Sequence, residues 1–213
     1  MVQKANFDSK MLEMRQAIKE SLKSQEIMDL VKQYGYTKDR LEGFDADYEE
    51  IYELDQKQKK ETGTQLESSK KLDDLYIVFE ESYMDFIKVS RAIFKDKDSA
   101  YISLGLRGER KKSMSGIINQ AKTFYTAALK DNEILNMFIA KGISKENLEE
   151  GYKHLNDLLD EYYFHNKEME DKKVLTKKRD EKFDTLVEEM NEYKIFALFA
   201  LKGRQDLKNK LGW

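Results

Sequence analysis

The chain has no cysteine and no proline, and only two histidines and one tryptophan among 213 residues. Without cysteine there can be no disulfide and no thiolate-held metal. Proline is normal in loops and disruptive inside helices, so its absence points to long helices joined by few, short connections. A marked excess of one charge is also lacking. The net charge of −3 supplies no basic field of the kind nucleic-acid binders use. No apolar run approaches the roughly 20 residues that span a bilayer, and the opening Met1-Val2-Gln3-Lys4-Ala5-Asn6 carries no apolar leader core. The expectation is a cytoplasmic protein that binds no nucleic acid and is not held at a membrane.

What the chain has in abundance is charge of both signs. Charged residues make up 37% of it, against about a quarter in average proteins. Signs interleave along the sequence, as they do on helices with a narrow buried stripe and a wide wetted face. A hydrophobic share of 40% and an aromatic share of 11% set it apart from disordered chains, which lack the apolar surface to form a core.

The strongest pattern is a repeat. Shifted by 107 residues without a gap, positions 22–105 fall on 129–212, and seventeen of the 84 pairs are identical. Leu22-Lys23 matches Leu129-Lys130, Glu26-Ile27 matches Glu133-Ile134, and Gly35 matches Gly142. Leu41-Glu42 matches Leu148-Glu149, and Leu104-Gly105 matches Leu211-Gly212. A fixed period of this kind determines architecture. The predicted fold is all-α, with two tandem copies of a three-helix antiparallel unit: copy one over 1–106, a linker over 107–113 and copy two over 114–213. The copies either stand as two bundles or merge into one elongated six-helix body.

Within each copy the helices are read from periodicity and punctuation. The first runs from about Asp8 to Tyr34 and ends at Gly35, which can adopt the left-handed conformation. Thr37 then opens the second, with Asp39 in its first turn; Gly142, Ser144 and Glu146 repeat that grammar. Gly63, between two threonines, marks the second turn of copy one. The matching stretch, Asn166 to Lys173, reads as either turn or helix. The third helix carries a heptad seam: Leu72, Tyr76, Phe79, Tyr83, Phe86, Ser90 and Ile93, paired with Arg179, Phe183, Leu186, Met190, Tyr193, Ala197 and Ala200. Gly105 to Ser113, with two glycines and a basic cluster, forms the linker.

Catalytic chemistry finds little to stand on. Glu150 and Glu161 each precede a histidine, His154 and His165, by four residues. Di-iron bundles use Glu-x-x-His on paired helices, and the positions matching these histidines in copy one are Asp47 and Gln58. No metal or cofactor is expected. There is no nucleophile beside an oriented base, and neither a Walker loop nor G-x-G-x-x-G is present. The basic groups Arg107–Lys112 and Lys172–Arg179 read as solvated charge.

Two apolar stretches remain. Tyr162, Tyr163, Phe164 and His165 are four consecutive rings that cannot all face one core. They are either covered by the other copy or form a partner surface. Tyr193 to Leu201 is apolar nearly all round and reads as a helix buried on several sides. The expected function is therefore that of a non-enzymatic interaction or scaffold protein, with a protein partner or self-association. The alternatives are a bundle that binds a small ligand or metal, with or without enzymatic activity, and a membrane-active helical protein.

Overall fold

The computed structural model describes residues 4–213, with side-chain surroundings from Phe7 onward; Met1, Val2 and Gln3 of the polar opening lie outside the described residues. Among the described residues there are eight helices and no strand. These are α1 (Lys4–Lys23), α2 (Gln25–Lys32), α3 (Lys38–Ile93), α4 (Asp98–Ser103), α5 (Met114–Lys130), α6 (Asn132–Ile139), α7 (Lys145–Ala200) and α8 (Gln205–Lys210). The all-helical expectation holds. No described helix is long and apolar enough to cross a membrane.

The three-helix unit needs correction at two points. First, the helix expected from Asp8 to Tyr34 is broken at Ser24. That residue is extended (φ −97°, ψ 105°), and its hydroxyl accepts the Ile27 N–H. Asp131 does the same ahead of α6, accepting from the N–H groups of Glu133 at 2.9 Å and Ile134 at 3.2 Å. A side-chain acceptor at this position satisfies amides that the new helix leaves unpaired. Second, Gly63 makes no turn. α3 runs through it as one helix of 56 residues, and α7, also 56 residues, runs through 166–173.

The turn at Gly35 forms as read. Its φ of +86° lets its N–H reach Lys32 O while Tyr36 N–H reaches Val31 O, a Schellman closure. Gly142, with φ +81°, repeats the pair with Ile139 and Phe138. Thr37 Oγ1 then caps α3 by accepting from Arg40 N–H. At α7 the cap is reciprocal: Ser144 Oγ accepts from Asn147 N–H, and Asn147 Oδ1 accepts from Ser144 N–H.

The chain divides into two compact units, but not into 1–106 and 114–213. One unit is discontinuous, Met1–Thr62 with Glu170–Trp213; the other is continuous, Gly63–Met169. Each has its own apolar core. In the discontinuous unit Met11, Ile18, Ile27, Val31, Leu41 and Ile51 are buried with Phe183, Leu186, Tyr193, Leu201 and Leu211. In the continuous unit Phe79, Tyr83, Phe94 and Leu104 are buried with Phe124, Tyr125, Phe138, Leu148 and Leu158. Each unit thus joins helices from the first half of the chain to helices from the second half.

Residues 107–113 are not a free tether. Beside them Leu106 is buried, and Arg91 donates to the carbonyls of Leu106 and Gly108. Arg110 donates to Gly105 O at 2.6 Å and to the Tyr83 hydroxyl at 3.3 Å. Part of the basic cluster is therefore committed to closing the continuous unit.

The seam is real, with a shift in phase. In α7, Phe183, Leu186, Met190, Tyr193 and Ala197 are buried as expected, and Arg179 is half-buried. Over the closing half of α3 the buried stripe is Leu72, Phe79, Tyr83, Ile87 and Ser90, continued by Phe94 just past its end, while Tyr76, Phe86 and Ile93 are only half-buried. A helix repeats every 3.6 residues, so a stripe followed for three heptads drifts by about one position.

Tyr193 supplies a prediction about alkaline stability. It is fully buried and lies 2.5 Å from Ser21 Oγ. Ser21 Oγ already donates to Ala17 O, so the tyrosine hydroxyl is the donor between them. Burial pushes that hydroxyl from an ordinary 10.0 up to about 12. A raised folded value favours the protonated native state. That contribution is complete below about pH 10 and is lost as pH climbs through about 12, and it amounts to about 2–3 kcal/mol. Urea unfolding of Tyr193→Phe between pH 8 and 12 should fall less steeply with pH than the parent. Equal slopes would show that Tyr193 is not held in this way.

Candidate functional site

The four consecutive rings lie on α7 within the continuous unit, and burial separates them. Tyr162 is half-buried against the core. His165 is half-buried, with Nδ1 3.3 Å from Ser68 Oγ in a hydrogen bond whose direction follows the ring tautomer. Tyr163 and Phe164 are exposed, at 63% and 52%. Of the two alternatives, cover by the rest of the chain does not hold for these two rings. The Tyr163 ring touches only the edge of the cluster, 6.2 Å from that of Tyr162.

Helix geometry accounts for the split. Successive side chains turn by about 100°. The stripe through Leu155, Leu158, Glu161, Tyr162 and His165 faces the unit's interior, with Leu155, Leu158 and Glu161 buried. Even the buried carboxylate is committed, since Lys71 Nζ lies 2.5 Å from Glu161. The diametrically opposite arc, about 100° wide, holds Asp160, Tyr163, Phe164 and Lys167, all four exposed. Two large rings therefore sit on the wet face, one along each side of it, where an amphipathic helix normally carries charge.

Position 56 is Gln and position 57 is Lys, both exposed on α3. These are the residues that lie 107 before Tyr163 and Phe164.

A second apolar face lies in the discontinuous unit. Tyr193–Leu201 is not buried on several sides. Tyr193, Ala197 and Leu201 face the core, while Ile195, Phe196 and Phe199 are 68%, 38% and 64% exposed. Tyr34 from the end of α2 packs edge-on to Phe199, with centroids 5.7 Å apart. Sequence reading missed this surface because a run that is apolar all round does not say which side the core takes.

The same unit holds a cleft of about 460 Å³ lined by Phe7, Asp55, Gln58, Lys59, Thr176, Arg179 and neighbouring polar groups. Its charges answer one another. Arg179 donates to Asp55 at 3.2 Å, to Gln58 and to Asp180, and its guanidinium lies over the Phe7 ring. Lys59 lies 2.6 Å from the buried Asp55, and Gln58 donates to Thr176. Arg179 thus takes a half-buried place on the seam because Asp55 is there to pair with it. Other members of the Lys172–Arg179 group are paired as well, Lys178 with Glu50 at 3.1 Å.

The histidines do not assemble a metal centre with their preceding glutamates: Glu161 is taken by Lys71, and Glu150 is exposed. Among the described residues no three His, Cys, Asp or Glu side chains converge as a metal-holding group. Comparison with protein-family models, with curated proteins and with solved structures finds no match.

Proposed function

We propose that this is a non-enzymatic helical interaction protein that meets its partner through the Tyr163–Phe164 face of α7. The observation that carries the proposal is the pair of exposed rings on the face opposite the core. Apolar surface left in water at such a place usually marks an interaction site, and tyrosine and phenylalanine enrich in interface centres. A cytoplasmic setting is part of the reading, and fractionation of the source cells tests it.

The proposal includes an internal duplication, which gives the comparison with Gln56 and Lys57 its meaning. Several features support it. Helices α3 and α7 begin 107 residues apart, at Lys38 and Lys145, and end 107 apart, at Ile93 and Ala200; α4 and α8 keep the same offset. The boundaries between the compact units, after Thr62 and after Met169, are again 107 apart. Buried positions correspond too, with Ile27 and Ile134, Leu41 and Leu148, and Leu104 and Leu211 as identical pairs. If the two halves share an ancestor, the exposed rings are a departure made in one copy only.

The second reading, a small-ligand site, is favoured by the cleft at Arg179. It is the weaker of the two because the polar groups there are already satisfied by one another. Tyr163→Ser with Phe164→Ser tests the leading reading. Both side chains are exposed, so the midpoint of thermal unfolding should move by no more than about 2 °C. Self-association, or capture of a protein from source-cell extract, should be lost. Association and capture that match the parent's would overturn the proposal.

A further inference from the structure

The exposed rings do not stand alone on their face. Asp160 lies one turn before them and Lys167 one turn after, on the same arc and exposed. Among the described residues neither is engaged in an intrachain ion pair, although many other charges of this chain are. Two unpaired charges of opposite sign, spaced evenly about a pair of exposed rings, form a self-complementary pattern.

We propose that this face binds a second copy of the chain, with the two α7 helices antiparallel about a two-fold axis between Tyr163 and Phe164. The inference rests on reading the face as an interaction surface, and it adds the partner and the orientation. A two-fold contact pairs residue i with residue j and j with i. An axis midway between positions 163 and 164 brings 163 of one copy level with 164 of the other, and 160 level with 167. The two rings stand on opposite sides of the arc. Tyr163 of each copy then lies beside Tyr163 of the other along one side of the contact, and Phe164 beside Phe164 along the other side, in the offset or edge contacts that ring pairs favour. Each Asp160 meets the other copy's Lys167, giving two opposite-charge pairs at the rim. A parallel arrangement would set Asp160 against Asp160 and Lys167 against Lys167. Like charges facing each other select against it. Contact through one stretch of a single helix is small, so the association is weak and sensitive to salt.

Charge reversal tests both partner and orientation. Sedimentation equilibrium is run on the full chain over a concentration series reaching about 0.5 mM, where weak association registers. Asp160→Lys alone leaves lysine facing Lys167, and Lys167→Asp alone leaves aspartate facing Asp160. Each should weaken self-association by about tenfold or more. An equimolar mixture of the two variants should restore association to within about threefold of the parent, because both charge pairs re-form across the mixed contact. Circular dichroism confirms that each variant keeps its helix content; if either loses it, Asp160→Asn and Lys167→Gln, each expected to weaken association less than the reversals, take their place. A parent that stays monomeric throughout would overturn the proposal. So would reversals with no effect, or a mixture no stronger than its components. If charge variants are inert while Tyr163→Ser with Phe164→Ser abolishes capture of another protein, the second copy is the wrong occupant and the interaction reading stands. If the serine variant is inert as well, both fall.

Discussion

Replacing Gly63 with proline is expected to cost about 3 kcal/mol or more, and replacing it with alanine to stabilise by about 0.5–1 kcal/mol. Gly63 lies inside α3, and a Cβ built on it would meet nothing within 4 Å. Alanine there removes the backbone freedom that glycine brings to the unfolded chain and adds no clash. Proline removes a helical hydrogen bond, and its ring strikes the preceding turn. A turn at Gly63 would give the opposite order, since turns accept proline readily and often depend on glycine. Urea unfolding of the two variants separates the cases. A harmless proline, or an alanine that destabilises by more than about 1 kcal/mol, would mean that α3 is not continuous.

The second large effect concerns Tyr125 and Gly151. Tyr125 is fully buried in the continuous unit, and a Cβ on Gly151 would sit 2.5 Å from its hydroxyl oxygen and 2.9 Å from Cε1. A ring of this size fits because α7 offers no side chain at that point. One hundred and seven residues earlier the sizes are reversed: Ile18 and Phe44, both buried in the other unit's core. Gly151→Phe alone should cost about 3 kcal/mol or more by overpacking. Tyr125→Ile alone should cost about 2–4 kcal/mol by leaving a void. Together they should cost at least about 1 kcal/mol less than the sum, because one change makes the space that the other fills. Strict additivity in chemical denaturation would contradict the proposed equivalence of the two positions.

How much of this was legible in the sequence differs by feature. The Gly35 and Gly142 turns were, because a left-handed closure needs glycine and each half of the chain supplied one. The breaks at Ser24 and Asp131 were missed, although their caps lie within the repeat, each two residues before a shared glutamate. A one-residue break without glycine or proline leaves only that cap as a sign. Gly63 misled because a glycine between threonines in a polar stretch resembles a turn. Inside a helix of 56 residues its cost of about 1 kcal/mol is spread over a long packed length. Exchange of halves between units was not legible at all. Sequence similarity says which helices are equivalent, and says nothing of which ones pack together. As for the candidate site, the rings were visible and their exposure was not, because helical phase is fixed only once Leu155, Leu158 and Glu161 are seen to face inward.

That each compact unit joins halves of the two proposed copies is tested most directly by expressing two fragments of equal length, residues 63–169 and residues 107–213. The first contains the whole of one unit and its core. The second is a complete copy under the proposed duplication, yet it carries only part of each core. Thermal unfolding followed by circular dichroism should show a cooperative transition for 63–169 and none for 107–213. A cooperative transition for 107–213 with none for 63–169 would mean that the copies fold as written in the sequence and that the exchange of halves is wrong.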